Sequence, residues 1–215
     1  MELVSVQRAR SIWLFDSYDL NPRGKNIGTK LIDWLKHTYQ FTKVPASMTD
    51  LDDTKALYYS GGHFKTGRES IDVELRIYND GVVGDTRSST EDTDLFLLDV
   101  LASAAKEFSL PYKHEIVRKK LYVSEMTVRT AKALSTLTPT LAEFARKLGL
   151  ATGSAAVPEL ASIGFWPDIL PNPSASVFRF ERKFGAEFSD HRYYTRAPLQ
   201  TSKHLELLQA LEGAL

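Results

Sequence analysis

Ile71, Val73, Leu75 and Ile77 alternate with Asp72, Glu74, Arg76 and Tyr78, and Asn79-Asp80-Gly81 follows at once. Successive side chains of a strand point to opposite faces, so this run buries one face and wets the other. Asn, Asp and Gly tolerate the positive φ of a tight hairpin turn. Residues 82–86 then form the return strand. A half-wet hairpin of this kind favours an antiparallel sheet.

The other elements group around that hairpin. Residues 10–15 are rich in strand formers, and Asn21-Pro22-Arg23-Gly24 has turn chemistry. Ile27, Leu31, Trp34, Leu35 and Thr38 recur at helical spacing and predict a helix over 25–40. Residues 56–65 read as a strand interrupted by Gly61-Gly62, the mark of a bulge. Ser88 with Glu91, and Ser89 with Asp92, have capping-box spacing. They open a helix reaching about Phe108, with a wide apolar face of Leu95, Phe96, Leu98, Val100, Leu101, Ala104 and Ala105. Residues 112–130 predict one long bent strand or a hairpin.

Thr138 and Pro139 start a further helix that Gly149 would stop. Residues 177–184 read as a late strand. Thr201 or Ser202 caps a last helix, with Leu205, Leu208 and Leu211 inward. No internal repeat is visible, and no heptad run. The expected class is α+β: a mainly antiparallel sheet with helices packed on one face. Residues 1–215 are expected to form a single domain, with a flexible loop or sub-boundary at 149–175, where Pro167, Pro171 and Pro173 follow Phe165-Trp166.

The chain has no cysteine, which excludes a disulfide framework, a thiolate zinc site and a cysteine nucleophile. No secretory leader and no apolar run of spanning length are found, so a soluble, cytoplasmic protein is expected, with no membrane partner. The formal net charge is zero, from 27 basic and 27 acidic side chains. That excludes a uniformly basic nucleic-acid binder. The zero is a cancellation, however. Residues 50–100 carry twelve acidic against five basic side chains, and residues 108–147 carry eight basic against three acidic. The two segments are expected to pair with each other in the fold.

Several clusters carry possible chemistry. Gly24-Lys25 before a helix lacks the second glycine of a phosphate loop and reads as a turn. His63 beside the paired glycines, with Asp72 or Glu74 on the neighbouring strand, would make a histidine–carboxylate base. Arg87, ahead of the capped helix, and His191, Arg192, Tyr193 and Tyr194 would grip an anion or stack a ring. Lys113, Arg118, Lys119 and Lys120, interleaved with Tyr112 and Tyr122, make a basic strand of the composition that meets single-stranded nucleic acid. No hydrolase elbow, metalloprotease motif or other family signature is present, and neither a metal nor a cofactor is expected.

The expectation drawn from these residues is a binding or assembly protein, a homo-oligomer or the partner of another protein. An enzyme acting on a phosphorylated or nucleotide-like small molecule, with His63 as base and Arg192 or Arg87 as anion clamp, is the alternative. A nucleic-acid accessory protein using the basic strand is the third.

Overall fold

The computed structural model describes residues 1–46, 55–67, 69–134, 139–153, 158–166 and 177–214. They form strands β1 (Glu2–Leu14), β2 (Leu57–Thr66), β3 (Glu69–Tyr78), β4 (Gly81–Thr86), β5 (Lys119–Arg129), β6 (Ser162–Phe165), β7 (Phe178–Arg182) and β8 (Arg192–Ala197). The helices are α1 (Ser17–Leu20), α2 (Gly28–Tyr39), α3 (Thr90–Phe108), α4 (Pro139–Thr152) and α5 (Thr201–Ala214). The protein is α+β, and its strands pair antiparallel. Two compact units are present: Arg8–Val123, and Met1–Gln7 with Ser124–Leu215.

In the unit Arg8–Val123 the strand order is β2-β3-β4-β1-β5. The hairpin turns at Asn79-Asp80, and Gly81 follows at φ +155°. A Cβ at Gly81 would lie 2.2 Å from the Trp13 carbonyl oxygen, so the neighbouring backbone demands glycine there. The bulge forms where the glycine pair placed it, with the β2–β3 register shifting between Tyr59 and Gly62. Trp13, Leu57, Tyr59, Val73, Leu75 and Val82 of the sheet pack with Ile32, Leu35 and Tyr39 of α2 and Phe96, Leu97, Val100 and Leu101 of α3. A Cβ on Gly84 would come within 2.8 Å of Thr93 and 3.1 Å of Leu97, which shows how closely α3 lies on β4. Ser89 caps α3, accepting the Asp92 N–H at 3.0 Å. The apolar face of α3 is narrower than its sequence suggests, because Leu95 and Leu98 are exposed. Residues 112–130 hold a short 3₁₀ turn, His114–Ile116, and then the single strand β5.

In the other unit the order is β1-β5-β8-β7-β6. Met126, Val128, Phe180, Tyr193, Leu134 and Leu208 form its core, with Leu205 and Leu211 packed against them. Tyr193 stacks on Phe180 with ring centroids 4.7 Å apart, and its hydroxyl accepts the Leu134 N–H at 2.9 Å. Two sequence expectations are corrected here. Gly149 lies inside α4, which runs to Thr152; the stop is Gly153, in the left-handed region at φ +64°. Thr201 is the first residue of α5 rather than its cap. Residues 162–165, within the 149–175 segment, are strand β6. Residues 192–197 form β8, which lies between β5 and β7. Thr138, residues 154–157, Pro167, Pro171 and Pro173 lie outside the described residues.

A repeat does exist, at the level of topology. Apart from the short α1, β1-α2-β2-β3-β4-α3 and β5-α4-β6-β7-β8-α5 follow the same element order, and their strands are ordered β2-β3-β4-β1 and β6-β7-β8-β5. It escapes sequence inspection because a topology needs the right pattern of apolar positions rather than the same residues. β3 and β4 are joined by a two-residue turn, whereas residues 183–191, with a 3₁₀ turn, separate β7 from β8.

Candidate functional site

In the unit Arg8–Val123, side chains alternate between the α3 face of the sheet and the opposite face. Gly84 meets α3, so its neighbour Asp85 points the other way. Asp85 is directly opposite Arg10 on β1 and Glu74 on β3. Two carboxylates in direct cross-strand apposition repel. Arg10 donates to both Asp85 oxygens, at 2.7 and 3.0 Å, and Arg76 donates to Asp85 and, at 3.4 Å, to Glu74. Tyr58 closes the row: its hydroxyl donates to Glu74 at 2.9 Å, and its ring lies under the Arg76 guanidinium at 4.6 Å. Burial and the Glu74 hydrogen bond raise the Tyr58 pKa, so this phenol stays a donor. The two arginine stems cover Asp85, which is only 7% exposed.

His63 stands opposite Asp72, with Nδ1 3.1 Å from the carboxylate; the two side chains are 50% and 78% exposed. Glu74 is engaged by Tyr58 and Arg76. Arg87 is exposed beyond the end of β4. The start of α3 beside it is already occupied by the carboxylate of Asp92, which both Ser88 and Ser89 hydroxyls bind. His191 adopts φ +47°, and Arg192 has a buried Nε without a partner among the described residues. Tyr193 is core. Burial, and then Glu125, push the Tyr194 pKa up to about 12. His63, Asp72, Glu74 and Arg87 thus belong to one unit, and His191–Tyr194 to the other.

The basic strand is partly spoken for. Arg118 pairs with Asp19 at 2.8 Å, and the Lys120 ammonium lies 3.8 Å from the Trp13 ring centroid. Lys113 and Lys119 are exposed. The ion pairs of residues 108–147 include Arg118–Asp19, Arg129–Glu2 and Arg146–Glu143, and none of these carboxylates falls in the acidic segment 50–100. In that segment Asp85 draws on Arg10 and Arg76, and Glu74 on Arg76. Among the described residues no group of three metal-ligating side chains gathers, and no helix is long and apolar enough to cross a membrane.

Two adjoining pockets lie in the Arg8–Val123 unit. One is a cavity of about 430 Å³ whose wall includes Phe15, Leu31, Leu35, Val82, Val100, Leu101 and Ala104. Phe15, Leu35, Val82, Val100, Leu101 and Ala104 are all buried in the fold, so these walls are part of the hydrophobic core. The other is a polar recess of about 550 Å³ lined by Asp16, Ser17, Asn79, Asp80 and Arg118. The two share Phe15, Ser17, Tyr18 and Asn79. The loop after α1 forms part of the cavity wall. Asn21 shapes this loop, since its side chain accepts the Lys25 N–H and donates to the Lys25 carbonyl, both at 3.0 Å, with Gly24 at φ +55° between. Lys25 is thereby aimed at the C-terminal end of α3, donating to the carbonyls of Phe108 and Ser109 at 3.1 and 2.7 Å.

Little in the sequence marks this site: Gly24-Lys25 reads as a turn, the apolar walls are indistinguishable from ordinary core positions, and Arg118 reads as part of a basic strand. No protein family model, curated protein or solved structure matches the chain.

Proposed function

We propose that the protein is a small-molecule binding protein whose site is the apolar cavity of the Arg8–Val123 unit. The 430 Å³ cavity carries this proposal. Its walls are mostly apolar, with the polar side chains gathered on the loop side. Ligand sites typically fall between about 300 and 1,000 Å³ with mostly apolar walls. The absence of cysteine fits a reducing, cytoplasmic setting.

Ala104 lines the cavity from α3, so Ala104→Phe should fill it. The neutral fluorophore N-phenyl-1-naphthylamine should brighten and bind the native protein with a Kd of tens of micromolar, about −6 kcal/mol. In Ala104→Phe, binding should fall at least tenfold while the melting temperature holds. Equal binding by both proteins, or a fall in stability of about 1–3 kcal/mol from overpacking, would remove the cavity as the site.

A second observation favours self-assembly as well. α2 buries Ile32, Leu35 and Tyr39, but its topological counterpart α4 leaves Leu141, Phe144 and Leu148 exposed at 41%, 62% and 42%. Their i, i+3, i+7 spacing makes one apolar stripe, the surface by which a second copy of this chain would dock in this reading. Sedimentation equilibrium should show a dimer that Phe144→Glu converts to monomer. A native protein that stays monomeric at every concentration would end this reading.

A further inference from the structure

We infer that the ligand of the Arg8–Val123 cavity is a compact apolar carboxylic acid, held by its tail in the core and by its carboxylate at Lys25. The inference rests on the cavity being the binding site and adds the class of molecule.

The cavity wall divides by chemistry. The α2, α3 and β4 sides supply Leu31, Leu35, Val82, Val100, Leu101 and Ala104, which offer no hydrogen bond. The loop side supplies Asn21, Lys25 and Asn26, and the β3 end supplies Asn79. A ligand lying across both parts is an apolar body with one polar end. About 430 Å³ accommodates roughly 10–15 non-hydrogen atoms with ordinary packing gaps, the size of a medium-chain acid or an aryl-alkanoic acid.

Charge selects the polar end. An ammonium group has three donors, and Lys25 spends two of them on the Phe108 and Ser109 carbonyls. Those bonds fix the cation at the end of α3, where the partial negative charge of a helix C-terminus favours it. One donor remains, and no carboxylate among the described residues pairs with Lys25. One cation with one remaining donor suits a singly charged carboxylate better than a phosphate dianion, which calls for several converging donors. The carbonyl-bonded anchor also means that the lysine is ordered before a ligand arrives, so less side-chain entropy is lost on binding.

The test uses decanoate and decanol, which share a tail and differ in the head, each displacing N-phenyl-1-naphthylamine from the full chain at pH 8. Decanoate should displace the probe about tenfold more effectively than decanol, the value of one charge-assisted hydrogen bond. Lys25→Met should erase that preference and leave decanol unchanged, and Lys25→Arg should retain it. Thermal melts of both variants check that α3 keeps its end. If decanol equals decanoate on the native protein, or if Lys25→Met keeps the preference while folded, the carboxylate assignment is wrong and the cavity stands. If neither compound nor the fluorophore binds, the cavity reading itself falls, and the carboxylate with it.

Discussion

Asp85→Ala should lower the unfolding free energy by about 2–3 kcal/mol, measured by urea titration at neutral pH, although no apolar contact of the core is touched. The carboxylate lies on a central strand between Arg10 and Arg76 and accepts hydrogen bonds from both. Removing it leaves two guanidinium groups flanking β4 without the carboxylate that lies between them. The cost stays below that of a fully buried ion pair because the arginine side chains are 28% and 25% exposed and water reaches them. Asp85→Asn keeps an acceptor but loses the charge, so it should cost about half as much. Replacing the trio together, Arg10→Met with Asp85→Leu and Arg76→Met, should recover much of the loss, because neighbouring apolar groups need no pairing. A loss under about 0.5 kcal/mol for Asp85→Ala would mean that the row is an ordinary surface array.

The same residues show what a sequence discloses and what it hides. The β3–β4 hairpin, the glycine bulge and the Ser89 cap were legible because each is decided within a few residues, by alternation, by φ and by a side chain reaching its own helix. Helix ends were less so: Gly149 and Gly153 are both plausible stops, and only the length of the packed helix chooses Gly153. Charge pairing was not legible at all. The acidic segment and the basic segment look complementary along the chain, yet register places Asp85 against Arg10 and brings Arg118 to Asp19. Pairing across a sheet depends on strand order, which the local pattern does not carry. The cavity was hidden for a related reason. Its walls are core residues, and a gap between them exists only once α2, α3 and the Asn21–Lys25 loop have taken their places. Of the two carboxylates expected near His63, Asp72 stands opposite it, on an open strand surface.

The second large effect is expected from acid. His204 on α5 is fully buried, and burial lowers its pKa from 6.5 to about 4. Its partners fix the neutral form. The Thr195 hydroxyl donates to the Arg179 carbonyl at 3.0 Å, so it accepts from His204 Nε2–H at 2.9 Å. Nδ1 is then the acceptor for the Ser124 hydroxyl at 2.5 Å. The unfolded chain binds a proton at this histidine below about pH 6.5, while the folded chain resists until about pH 4. Between those values the unfolded state holds more protons, so stability falls as pH falls. The contribution is complete above pH 6.5 and is lost by about pH 4, a change on the order of 3 kcal/mol. His204→Asn should be less stable at pH 7, since Ser124 and Thr195 lose a partner within the core. It should also lack this part of the acid slope, so that the native and variant curves converge as pH approaches 4. Chemical denaturation from pH 7.5 to 4.5 reads both quantities. Parallel curves would show that His204 takes up its proton as readily in the folded chain as in the unfolded one, and the neutral Ser124–His204–Thr195 chain of hydrogen bonds would be ruled out.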